Sequence, residues 1–127
     1  INPGYVNESI KAEYLQSSDI LCAPSLEKES FGIILLEAMA ANTAIIASDI
    51  QGYNEIITNN VNGLLIEPNN TNQLAQSIKK LHDDKNQKQK LINNGNSYIK
   101  NLNWDNISDK IINVYKNNLN NKEIAHH

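Results

Sequence analysis

An α/β fold built on a parallel sheet is what this sequence predicts, on three observations. Two short apolar runs, ILCAP at 20–24 and TAIIAS at 43–48, alternate with segments of helical spacing. Both runs are continuously apolar, as in a strand covered on both faces, and not alternating as in a half-solvated one. The strand–helix–strand order that results is that of parallel sheets.

Taken in order, Tyr5-Val6 after Pro3-Gly4 reads as a short strand, and residues 8–18 as a helix with Ile10, Tyr14 and Leu15 on one face. ILCAP is a buried strand stopped by Pro24, with Cys22 as a small core residue. Residues 25–31 form a polar loop, 32–41 a helix and 43–48 a second buried strand. Gln51-Gly52 marks a turn. Residues 53–58 read as a short helix, 59–62 as a turn and 63–66 as a third strand ended by Pro68. Beyond it the pattern is helical. Thr71 caps a helix through Leu81 that buries Leu74, Ala75, Ile78 and Leu81. A polar helix follows over about 84–100, then one from about Trp104 to Leu119 presenting Ile107, Ile111, Ile112 and Tyr115. Asp83-Asp84 and Asp105 suit helix starts. His82 sits in a polar helix end, where a solvated role is expected.

The 127 residues suit one domain. All 11 basic residues are Lys, and 22 residues are Asn, which reads as compositional bias and not as function. A net charge of -3 gives no basic field, so nucleic acid is not an expected partner. One cysteine excludes an internal disulfide framework and suits a reducing compartment. No apolar run approaches the roughly 18 residues of a membrane span, no signal peptide is read, and no metal site is expected. The chain starts at Ile1 and ends in Ala125-His126-His127. We read it as an excised piece of a longer protein with a tag remnant, residues 1–120 as the folded part and 121–127 as a disordered tail.

The segment ESFGIILLEAMAA, residues 29–41, poses a question in charge. From Gly32 to Ala41, Glu37 is the only polar side chain in an otherwise apolar helix. A buried carboxylate is costly unless it finds donors. So either Glu37 has a protein partner or it serves a ligand. The helix opens at the carboxyl end of the ILCAP strand, where parallel sheets bind ligands. Its free N–H groups, at residues 31–33, make an anion site, and Gly32 lets a ligand approach the backbone. Glu37 lies about 7.5 Å further along the axis, and carboxylates suit vicinal hydroxyls. Glu29, in the loop before, is equally readable as a solvated residue beside Glu27 and Lys28.

ESFGIILLE followed by AMAANTAIIASDI resembles the signature of retaining glycosyltransferases of the GT-B fold, family 4, and is closest to its phosphatidylinositol mannosyltransferase-like members. SSDILCAPS, NEIITNNVNGLLIEPNN and the tail with Trp104 and Tyr115 extend the likeness over about residues 4–119. The resemblance implies an incomplete, Rossmann-like C-terminal domain of the GT-B fold with a helical tail. It makes Glu29 the catalytic-site carboxylate near the donor sugar. It places Ser30, Phe31, Gly32 and Ile33 against sugar and diphosphate, and Glu37 on the ribose hydroxyls, so that its bonding partners would come with the ligand. The family's front-face reaction retains anomeric configuration and relies on orientation and charge stabilisation. The nucleotide-diphosphate sugar is a substrate, and no cofactor or metal is implied. Tyr53 and Asn54 could edge the donor pocket.

Departures are Asn42 where Gly is usual, Ala44 where Pro is common, and Gln51-Gly52 for Gly-Gly. Asn tolerates a left-handed helix end. The family's basic diphosphate clamp and its acceptor domain lie upstream of Ile1. The fragment is therefore expected to be inactive alone, to meet a sugar, lipid or protein acceptor only through the missing N-terminal domain, and to self-associate through an uncovered sheet edge. A cytoplasmic place in cell-envelope polysaccharide synthesis is implied, with peripheral membrane association open for the full-length enzyme. A GT-B nucleotide-sugar epimerase and a non-catalytic sugar-nucleotide module are the alternatives. A dinucleotide-binding domain would need a Gly-rich turn that this chain lacks.

Overall fold

The computed structural model describes residues 7–26 and 32–102. Its order is α1 (Glu8–Ser17), β1 (Ile20–Ala23), α2 (Ile33–Ala40), β2 (Ala44–Ser48), β3 (Leu64–Ile66), α3 (Thr71–Asp83) and α4 (Lys85–Lys100). The three strands form one parallel sheet in the order β1-β2-β3. Ile20 pairs with Ala44 and Ala23 with Ala47, while Ile46 pairs with Leu64 and Ser48 with Ile66. The expected strand at Tyr5-Val6 and the helix from Trp104 lie outside the described residues.

β2 explains why the fold has two apolar layers. All five of its residues are buried, and successive side chains of a strand point to opposite faces. Ile45 and Ala47 pack with Leu35, Ala38 and Met39 of α2 and with Ile50, Tyr53 and Ile57. Ala44 and Ile46 pack with Leu64 and Ile66 of β3, Leu81 of α3, and Leu91 and Ile92 of α4. The polar helix α4 meets the sheet through Leu91 and Ile92 and packs closely on α2 because Gly95 lies against Met39: a Cβ there would stand 3.1 Å from Met39 Cγ.

Several expectations are corrected. Residues 51–56 form consecutive turns and not a helix, although Ile57 N–H still bonds Tyr53 carbonyl at 2.8 Å. Asn62 holds this segment, accepting from Thr58 N–H at 2.8 Å and donating to Ile56 carbonyl at 3.1 Å. The α3 cap is Asn70, which accepts from Gln73 N–H at 2.9 Å; Thr71 is the first helical residue. Asp84 caps α4 in the same way. Of the four residues expected to be buried on α3, Leu81 is buried and Leu74 half-buried, while Ala75 and Ile78 are exposed. Cys22 is exposed and not in the core, because β1 is the edge strand of the described sheet and only β2 covers its flank.

Candidate functional site

α2 starts beyond the carboxyl end of β1, and Gly32 is its N-cap. Gly32 offers no side-chain bond to the first helical N–H groups, which have no partner within the helix. Leu35 and Leu36 N–H bond its carbonyl at 2.9 and 3.2 Å. With a φ of -85° it needs no left-handed backbone. What requires glycine is packing: a Cβ would lie 2.6 Å from Ile56 Cδ1 and 3.1 Å from Leu35 Cδ1. On the side where a Cβ would stand, the space is filled by Ile56.

Glu37 is neither buried nor unpartnered. Lys11 of α1 places Nζ 3.2 Å from Oε1 and 3.1 Å from Oε2, and each side chain is 30% exposed. This corrects the expectation that the carboxylate's partners come with a ligand: a protein cation already holds it. α1 is docked by the Thr43 hydroxyl, which donates to Leu15 carbonyl at 2.6 Å. Lys11 and Leu15 are one turn apart and share the face turned to α2. Ile10 and Tyr14, expected on that face, are 39% and 45% exposed. Lys11 was absent from the residues singled out in the sequence. Its signal was indirect: a lone carboxylate on an apolar helix calls for a cation, and Lys11 is one of two lysines before Glu37.

Between α1 and α2 lies an opening of about 400 Å³ lined by Ala12, Leu15, Gln16, Glu37, Ala40 and Ala41. Its size falls in the range of small-molecule sites. Gly32 and Ile33 do not line it, so the structure does not bring Glu37 and the helix N-terminus to one cavity among the described residues. An ionised carboxylate has about four acceptor positions, and Lys11 Nζ bridges its two oxygens, engaging one position on each. Positions therefore remain for hydroxyls of a ligand entering the cavity. Glu29, Ser30 and Phe31 lie outside the described residues.

Tyr53 is buried, with its hydroxyl 3.2 Å from Ser25 Oγ, and Asn54 donates to Asp49 Oδ1 at 3.1 Å. Neither lines the Glu37 cavity. Desolvation raises the Cys22 thiol above its ordinary value. Among the described residues no His, Cys, Asp and Glu cluster is placed to hold a metal, and no helix is long and apolar enough to cross a membrane.

The family model described as glycosyl transferases group 1 matches residues 1–98. The chain is 31% identical over 113 residues to a phosphatidyl-myo-inositol mannosyltransferase of Mycolicibacterium smegmatis, covering 89% of this chain and 29% of that protein. Its fold matches sucrose-phosphate synthase of Thermosynechococcus elongatus with a TM-score of 0.75 at 29% identity, over 91% of this chain and 29% of that one. It also matches the C-terminal domain of a glycosyl transferase group 1 family protein of Francisella tularensis, with a TM-score of 0.68 at 33% identity, over 76% of this chain and 50% of that one. The chain thus spans under a third of the length of the curated relatives it matches.

Proposed function

The chain belongs to the glycosyl transferases group 1 family, and on that premise we propose that residues 1–120 supply the donor-binding wall of a retaining GT-B glycosyltransferase. The whole enzyme would move a sugar from a nucleotide-diphosphate donor to an acceptor bound by a second domain. The observation that carries this reading is Glu37: a half-exposed carboxylate, charge-balanced by Lys11, on a cavity of ligand size within the matched family segment. The likeness to a solved C-terminal domain of the family supports the same position in the longer protein.

Lys11 changes how the site would work. A free carboxylate among apolar side chains would have to be desolvated when a nucleotide arrives. A paired one is already held in place, and its remaining lone pairs accept from two ribose hydroxyls at once. At this exposure the pair itself contributes about 0–1 kcal/mol to stability, so it is readily shared with a ligand. In this reading Glu29 stands near the reacting carbon. Ser30, Phe31, Gly32 and Ile33 face sugar and diphosphate, with the N-terminus of α2 directed at the negative charge. The relatives are a mannosyltransferase and a glycosyl transferase group 1 protein, which favours transfer over the epimerase alternative.

The test is a hydrolysis and transfer screen of the full-length protein against UDP-, GDP- and ADP-sugars, followed by Glu29→Gln and Glu37→Gln. Loss of one charged hydrogen-bonding group lowers kcat/KM for Glu37→Gln by about 10- to 100-fold. Normal turnover in Glu37→Gln removes its ribose role, and absence of transfer from every donor removes the reading as a whole.

A further inference from the structure

We propose that the β3 edge of the sheet is closed to strand addition. The side-chain amides of Asn59 and Gln73 occupy the backbone N–H groups with which another strand would pair, so a second copy of this chain does not extend the sheet there.

The register fixes which groups are at stake. Asp49 N–H, just after β2, bonds the Ile66 carbonyl at 2.7 Å. Ile66 therefore turns its backbone groups toward β2, and Leu64, two residues back, does the same. Gly63, Leu65 and Glu67 turn theirs to the opposite side, where β3 has no strand neighbour among the described residues. An open row of this kind is a template for another strand.

The row is instead taken up from within the chain. Leu65 N–H donates to Asn59 Oδ1 at 2.9 Å, and Glu67 N–H donates to Gln73 Oε1 at 2.7 Å. The outward carbonyls of Gly63 and Glu67 accept from Asn60 N–H at 2.9 Å and from Asn70 N–H at 3.2 Å. Of the outward groups from the Gly63 carbonyl to the Glu67 carbonyl, only the Leu65 carbonyl has no partner among the described residues. A strand arriving at this edge would have to displace both amides before it gained a ladder bond.

The surroundings act in the same direction. Ser77 and Lys80 line an opening of about 180 Å³ beside Leu65, together with Asn59 and Gln73. A lysine at an edge opposes docking, because its charge would lose water. β3 is three residues long, so an added strand has few bonds to gain. Each amide is set by the element next to β3 in sequence. Asn59 stands in the preceding turn, where Asn60 has a φ of 65°. Gln73 stands in the first turn of α3, its own N–H held by Asn70 Oδ1 at 2.9 Å. The closure is thus built with the strand and its two flanks.

Two measurements test it. In hydrogen exchange of the unmodified 127-residue chain, the Leu65 and Glu67 amides are slower than free peptide amides although they lie at an edge. Asn59→Ala speeds Leu65 and Gln73→Ala speeds Glu67, each by about 3- to 10-fold, the worth of one ordinary hydrogen bond. The second is sedimentation velocity in a Leu21→Lys background, which puts a charge on the opposite edge strand β1. There the chain with Asn59 and Gln73 intact shows no concentration-dependent association. The pair Asn59→Ala and Gln73→Ala associates as concentration rises, while Asn59→Asp with Gln73→Glu, which keeps an acceptor oxygen at each N–H, does not. Free-peptide exchange at Leu65 and Glu67 in the unmodified chain overturns the proposal without any variant. So does an alanine pair that stays monomeric with an intact melting transition, or an acidic pair that associates as strongly as the alanine pair. None of these outcomes depends on whether Glu37 binds a donor.

Discussion

Single residues decide more here than their chemistry alone suggests. Glu37 was legible as an anomaly, since one carboxylate in an apolar decapeptide demands an explanation. Its partner was not, because Lys11 lies 26 positions away and only the docking of α1 brings it near. Gly32 was legible as special, and the structure adds a packing reason for it. The sequence suggests access for a ligand, and the structure shows Ile56 against its Cα hydrogen. Gly32→Ala should therefore lower stability by about 1–3 kcal/mol through overpacking. Combining it with Ile56→Val, which deletes the clashing Cδ1, should cost less than the sum of the two single changes, measured as a double-mutant cycle in urea. Strict additivity would show that the two residues do not share this contact. The asparagines carry local structure as well as composition. Asn42, Asn60 and Asn69 adopt positive φ, a conformation Asn tolerates better than most residues. Asn70 caps α3, and Asn59 Oδ1 accepts from Leu65 N–H at 2.9 Å. Asn42 was expected at a left-handed helix end, as found; reading the other asparagines as bias missed their roles, because turn geometry is set by backbone angles that composition does not reveal.

Elements were read with uneven success, and the reason is burial. The two continuous apolar runs became β1 and β2 in parallel register, since four or five consecutive apolar residues fit no exposed element. The helix expected at 53–58 became a chain of turns, because Asn62 satisfies the Thr58 N–H and Ile56 carbonyl from outside any helix. α1 took a rotation that periodicity did not specify. Leu15 is buried while Ile10 and Tyr14 are exposed, and a helix with three apolar residues on a broad arc leaves that choice to its neighbours. β1 is the other case: apolar throughout, yet at the edge, with Cys22 exposed. Its thiol is raised by partial desolvation. A raised thiol is less ionised near neutrality, so alkylation of Cys22 by iodoacetamide should be slower at pH 7 than for a free cysteine. The rate should climb with pH to beyond the ordinary thiol value. A rate equal to that of a model thiol at every pH would contradict the crowding at this edge.

At the scale of the molecule, the same edge sets behaviour in solution. Among the described residues β1 has one strand neighbour, β2, which leaves one row of backbone donors and acceptors open to pairing. The 127-residue chain should therefore show concentration-dependent dimers in sedimentation velocity, weakened by Leu21→Lys on β1. A clean monomer at high concentration would count against this. The sequence by itself determined the parallel sheet with its helices, the family and the place of the Glu37 helix after a strand end, since hydrophobic continuity and a motif of fixed spacing are local properties of the chain. Only the tertiary structure decided that Lys11 pairs with Glu37, that Ile56 fills the space beside Gly32, and that the buried Ser48 hydroxyl has no hydrogen-bond partner among the described residues. Each is a contact between segments distant in sequence, whose geometry follows from how helices settle on the sheet and not from the residues taken in turn.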